Sequence, residues 1–145
     1  MKIVHIVVGS ACLAAIAASA LVGIWAWYRD PRLRAFWWLL RAAQALLVIE
    51  AVLGGIWEIS RRASGLHLIY GLVPIAVSLV AEQLRLASAQ MVLDSRGFEN
   101  AAAVGKLPES EQQVVVQTII HRELGVMVLA AIVMTVLVAR AAMTG

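Results

Sequence analysis

Apolar positions along this chain do not alternate with polar ones. They run almost unbroken in four stretches, at about residues 3–28, 35–59, 66–86 and 117–140. A helix of about 20 apolar residues crosses a hydrocarbon core roughly 30 Å thick, and each stretch reaches that length. In lipid each backbone polar group needs an internal partner, which makes the stretches helices. The pattern predicts an all-α fold, an integral membrane four-helix bundle, with residues 1–145 forming one domain.

The breaks carry helix punctuation. Asp30-Pro31 separates the first two stretches, because a proline cannot continue a helix interior. Arg61, Arg62, Ser64 and Gly65 form a short second connection. The third is longer, with a tip at about residues 95–108. Ser95-Arg96-Gly97 stops one helix and Pro108-Glu109-Ser110-Glu111 starts the next, with acids where the helix dipole favours them. Between them the small residues of 101–105 read as a turn. Residues 82–93 and 112–120 mix polar and apolar side chains at helical spacing, so the third and fourth helices are expected to extend into a cytoplasmic helical hairpin with one apolar seam.

Composition narrows the class. Hydrophobic residues make up 62% and charged residues 14%, with a mean hydropathy of +0.87. Soluble domains sit near 45–50% and about 25%, so a cytosolic enzyme or a disordered, nucleic-acid-wrapping chain is excluded. The net charge of +3 is carried by cations flanking the apolar runs. Arg29, Arg32, Arg34, Arg85, Arg96 and Lys106 lie on the side of the first and third loops, against Lys2, Arg61, Arg62 and Arg140 on the other. That excess predicts cytoplasmic first and third loops and both termini outside. An alanine-rich, lysine-poor chain suggests a bacterial inner (plasma) membrane. Trp25, Trp27, Tyr28, Trp37 and Trp38 cluster where an interfacial aromatic belt would sit. Lys2 and Ala18-Ser19-Ala20 imitate a secretory leader, but the apolar run continues through Trp27, which favours an uncleaved first span. The lone Cys12 offers neither a disulfide nor a cysteine zinc site.

Ionisable residues inside spans are costly and mark candidate chemistry. They are His5, Glu50, His67, Glu82, His121 and Glu123, with Arg41 and Glu58 nearer the interfaces. Each histidine has a glycine four residues on: Gly9, Gly71 and Gly125. Residues i and i+4 share a helix face, so each glycine clears space beside an imidazole. Gly54 and Gly55 on the second helix fall at the depth of Gly9 and Gly71. Two histidines on separate helices above a glycine layer suit a haem b ligated axially by His5 and His67. Small residues also serve plain helix packing, which is the competing reading. A third is a metal ion held by His5, His67 and Glu58. Glu50 and Glu58 are candidate proton relays or quinone-facing acids, and Glu50 equally suits an interhelical hydrogen bond. Arg41, Gln44, Glu82, His121 and Glu123 are expected to meet near the cytoplasmic end, chiefly as salt bridges. A second cofactor site at His121, Glu82 and Glu123 would lack a second histidine. No phosphate loop, His-Glu-x-x-His, Gly-x-Ser-x-Gly or cysteine pair occurs.

Four spans with histidines on two helices at one leaflet make the plan similar to four-helix membrane b-type cytochromes, a resemblance of architecture that implies His5 and His67 as axial ligands. The expected function is therefore a small membrane electron-transfer protein, not an enzyme on its own, exchanging electrons with a quinone or a membrane redox partner. The alternative is a cofactor-free accessory or assembly subunit of a larger membrane complex, for example a respiratory one. Either is expected to form homo- or hetero-oligomers in the lipid bilayer and to bind no nucleic acid.

Overall fold

The computed structural model describes residues 2–60 and 65–144, with the backbone alone over 57–60. It is all-helical: α1 (Lys2–Arg29), α2 (Arg34–Ser60), α3 (Gly65–Ser95), α4 (Ala101–Val104) and α5 (Glu109–Thr144). The four long helices are long and apolar enough to cross a membrane, consistent with a multi-pass membrane protein. Their outward faces are apolar as well: Ile3, Leu21, Trp38 and Leu79 are each more than 60% exposed. Apolar surface on that scale is not sustained in water.

The helices run up and down with neighbours in contact. α1 packs on α2 and α5, α3 packs along α5, and α2 meets α3 more thinly. One end of the bundle holds both termini, and the other holds the α1–α2 turn and the α3–α5 connection. The main core comes from one stripe per helix. Phe36, Leu40, Ala43 and Leu47 on α2 are buried at heptad-like spacing, as are Leu124, Met127, Ala131, Met134 and Val138 on α5. α1 contributes mostly small groups, Cys12, Ser19, Ala20, Gly23 and Ala26. Hydrocarbon supplies no hydrophobic force between helices, so close backbone approach and dispersion hold them together. At Gly23 an added Cβ would lie 2.6 Å from Phe36 Cε2 and 2.7 Å from Val128 Cγ2, which only glycine permits.

Local chemistry explains the breaks. After α1 the Arg32 N–H donates to Asp30 Oδ1 at 3.1 Å and the Leu33 N–H to the Asp30 carbonyl at 3.1 Å. α3 ends in a Schellman motif: Gly97 takes φ +75°, its N–H donates to Asp94, and the Phe98 N–H reaches back to Leu93. The expected turn at 101–105 instead forms the single helical turn α4, because the Asn100 side chain caps it by accepting from the Ala103 N–H at 3.1 Å. Val92, Leu93, Val104 and Val115 form a second, smaller core under this connection, joined by Phe98, Leu107 and Ile119. α3 is continuous through Pro74, whose side chain is buried.

Candidate functional site

His5 lies one turn into α1 and His67 near the start of α3, so both rings stand at the termini end. Their centroids are 5.9 Å apart with planes at 74°. Residues 62 positions apart are thus brought edge to face from helices whose mutual contact in the bundle is slight. Each ring is held through Nδ1. His5 Nδ1 lies 2.9 Å from Glu50 Oε1, an ion-pair contact rather than an aligned hydrogen bond. His67 Nδ1 lies 3.0 Å from the Ala141 carbonyl oxygen on α5. A carbonyl can only accept, so His67 Nδ1 carries a proton, and in the neutral ring the lone pair is on Nε2.

The Glu50 carboxyl reaches the His5 ring from α2, the interhelical contact that its place inside a span suits. The glycines explain how. An added Cβ at Gly9 would lie 2.6 Å from Glu50 Oε1, and one at Gly54 would lie 3.4 Å from His5 Cε1. These two glycines make room for the His5–Glu50 contact rather than leaving an open layer. At Gly55 and Gly71 a Cβ meets nothing within 4 Å among the described residues. The second carboxyl oxygen, Glu50 Oε2, is buried with no hydrogen-bond partner among the described residues. The Glu58 side chain and residues Arg61 and Arg62 lie outside the described residues.

Two imidazoles binding one metal ion from opposite sides, at about 2.0–2.1 Å per nitrogen, put their ring centroids about 6 Å apart. The observed centroids stand 5.9 Å apart, with the ring planes at 74°. Metal-bound histidines usually donate the other ring N–H to a carboxylate or backbone carbonyl, the partner types found at His5 and His67. Among the described residues no three His, Cys, Asp or Glu side chains gather as a metal-ion cluster.

The other expected constellation divides in two. Arg41, Gln44, Glu82 and Glu123 do meet, through Arg85, in a network joining α2, α3 and α5. Arg41 donates to Gln44 Oε1 at 2.7 Å and to Glu82 Oε1. The Gln44 amide donates to Ser78 Oγ at 2.9 Å and Glu82 Oε1 at 3.2 Å. Arg85 reaches Glu82 Oε2 at 3.1 Å and Glu123 Oε2 at 3.2 Å, with its guanidinium 5.6 Å from the Trp37 ring centre. His121 stands apart: its Nε2 accepts from the Trp27 indole N–H at 2.6 Å. Gly125 lies under the same indole, where an added Cβ would be 3.6 Å from Trp27 Cζ2. Sequence reading missed Arg85 as the network's centre and Ala141 as the carbonyl behind His67. A backbone acceptor leaves no mark in residue identity.

Comparison with protein-family models, with curated proteins and with solved structures finds no match in any of the three, so the chain's own residues carry the functional argument.

Proposed function

We propose that this chain is a small integral membrane electron-transfer protein that holds one b-type haem, with His5 and His67 as axial ligands. The observation carrying this reading is the imidazole pair, 5.9 Å apart and each engaged through Nδ1. When bound, a haem supplies a one-electron carrier whose potential is tuned by its axial ligands and their hydrogen bonds. His5 and His67 bind through Nε2. Glu50 and the Ala141 carbonyl orient the two rings from behind, and Glu50 stabilises positive charge at His5. Glu50, with one oxygen on His5 and the other without a hydrogen-bond partner among the described residues, would hold the proton accompanying a reduction. A bound haem would exchange electrons with a quinone or a membrane redox subunit. In this reading the chain spans a bacterial plasma membrane with both termini outside, and the ends of α3 and α5 form a cytoplasmic hairpin.

A second reading is supported by the filled space at Gly9 and Gly54: His5, Glu50 and His67 then cross-link a cofactor-free accessory subunit. An absorption spectrum of detergent-purified protein after haem supplementation separates the two. The haem reading expects a Soret band, abolished or shifted by His67→Ala in protein that still inserts. Colourless protein, or a spectrum indifferent to that substitution, rejects it.

A further inference from the structure

A groove of about 720 Å³ lies at the opposite end of the bundle, between the α1–α2 turn and the first third of α5. Arg29, Arg32 and Arg122 line it, together with Gln117 and His121. None of the three arginines makes an ion pair among the described residues. The one acid in the lining, Asp30, has Oδ1 occupied by the Arg32 backbone N–H. His121 accepts at Nε2 from Trp27, so in the neutral ring its proton is on Nδ1, a further donor. The groove therefore sets three arginines against one carboxylate, a surface that suits a phosphate.

Depth decides the source of that phosphate. Trp25, Trp27 and Tyr28, on the last turns of α1, are 55%, 39% and 77% exposed. Indole and phenol rings exposed at the end of a span lie at headgroup level. Leu21, Ile24 and Tyr28 form an exposed apolar stripe running from that level along α1. We infer that this groove holds the phosphodiester of an anionic phospholipid, with Arg29, Arg32 and Arg122 on the headgroup and the acyl chains along α1. The shared chemistry is a phosphate ester, and the bilayer is the source to which these neighbours point.

The test uses the full chain in nanodiscs of equal phosphatidylglycerol and phosphatidylcholine, with retained lipid counted by native mass spectrometry. Wild-type protein is expected to retain phosphatidylglycerol preferentially. Arg32→Gln and Arg122→Gln should each lower that preference about fivefold, the worth of one cation near an anionic surface. Arg140→Gln, a loss of equal charge at the termini end, should leave it unchanged. No preference in the wild type, or an equal loss in Arg140→Gln, overturns the site. Displacement of the retained lipid by millimolar glycerol 3-phosphate overturns the lipid source in favour of a soluble ester.

Discussion

Replacing Gly9 by alanine tests how the His5–Glu50 contact is built. An added Cβ would lie 2.6 Å from Glu50 Oε1 and 3.3 Å from Cδ. The carboxyl must retreat by about 0.8 Å to reach ordinary van der Waals distance. Moved directly away from His5, it stretches the 2.9 Å contact to about 3.7 Å, beyond hydrogen-bonding reach. A partly exposed ion pair is worth up to about 1 kcal/mol, which sets the expected loss. Alanine also gains up to about 1 kcal/mol in helix propensity, so the single substitution alone decides little. A double-mutant cycle removes that ambiguity. With Glu50→Ala already present the new methyl meets no carboxyl, and Gly9→Ala should become favourable. The expected coupling is about 1–2 kcal/mol, read as midpoint shifts in SDS-driven unfolding from mild detergent. Coupling below about 0.5 kcal/mol, the scatter of independent sites, would refute the claim that Gly9 exists to admit Glu50.

Three further outcomes follow from the packing. Arg85→Leu should destabilise by about 2–3 kcal/mol in the same unfolding assay, against about 1 kcal/mol or less for Arg41→Gln, because Arg85 alone engages both Glu82 and Glu123; equal losses would place the centre of the network elsewhere. Gly23→Ala should cost about 1–3 kcal/mol by overpacking against the buried Phe36 and Val128, whereas Gly55→Ala should be neutral or stabilising; the reverse order would mean the close approach of α1, α2 and α5 is misplaced. Gly71→Leu, one turn from His67 on the same helix face and with nothing among the described residues within 4 Å of an added Cβ, should abolish any haem spectrum while leaving SDS stability within about 0.5 kcal/mol of wild type; pigment retained at full intensity would place the cofactor elsewhere.

The four helices were legible because continuous apolar runs and Pro/Gly punctuation are local properties. Pro31 and Gly97 mark the ends of runs whatever packs against them. Asn100 was missed as a cap because three alanines after it resemble a turn until the side-chain oxygen is seen on the Ala103 N–H. The pairing of His5 with His67 was legible from depth alone: α1 and α3 run in the same direction, and both histidines lie one turn from the same end. What Gly9 does was not. Spacing shows that a glycine clears space beside an imidazole on its own helix, but not that a side chain from another helix fills it. His121 illustrates the same limit, since its glycine at i+4 lies under Trp27 of α1.

Burial along the helices bears on which functional reading the termini end can support. On α1 the first buried residue is Cys12, on α2 the last among the described side chains is Leu47, and on α3 the first is Pro74, while α5 stays buried as far as Ala141. Three helices thus turn few side chains inward over the stretch holding His5, Glu50 and His67. Hydrocarbon exerts no hydrophobic pressure to draw these helix ends together. Polar contacts of 2.9 and 3.0 Å therefore bear more of the cohesion there than at the other end, where Phe36, Leu124 and Met127 fill the interior. Two imidazoles and a carboxyl stand at this end, so removing any one of them should take away a larger share of its cohesion than a like change among Phe36, Leu124 and Met127 takes from the other end.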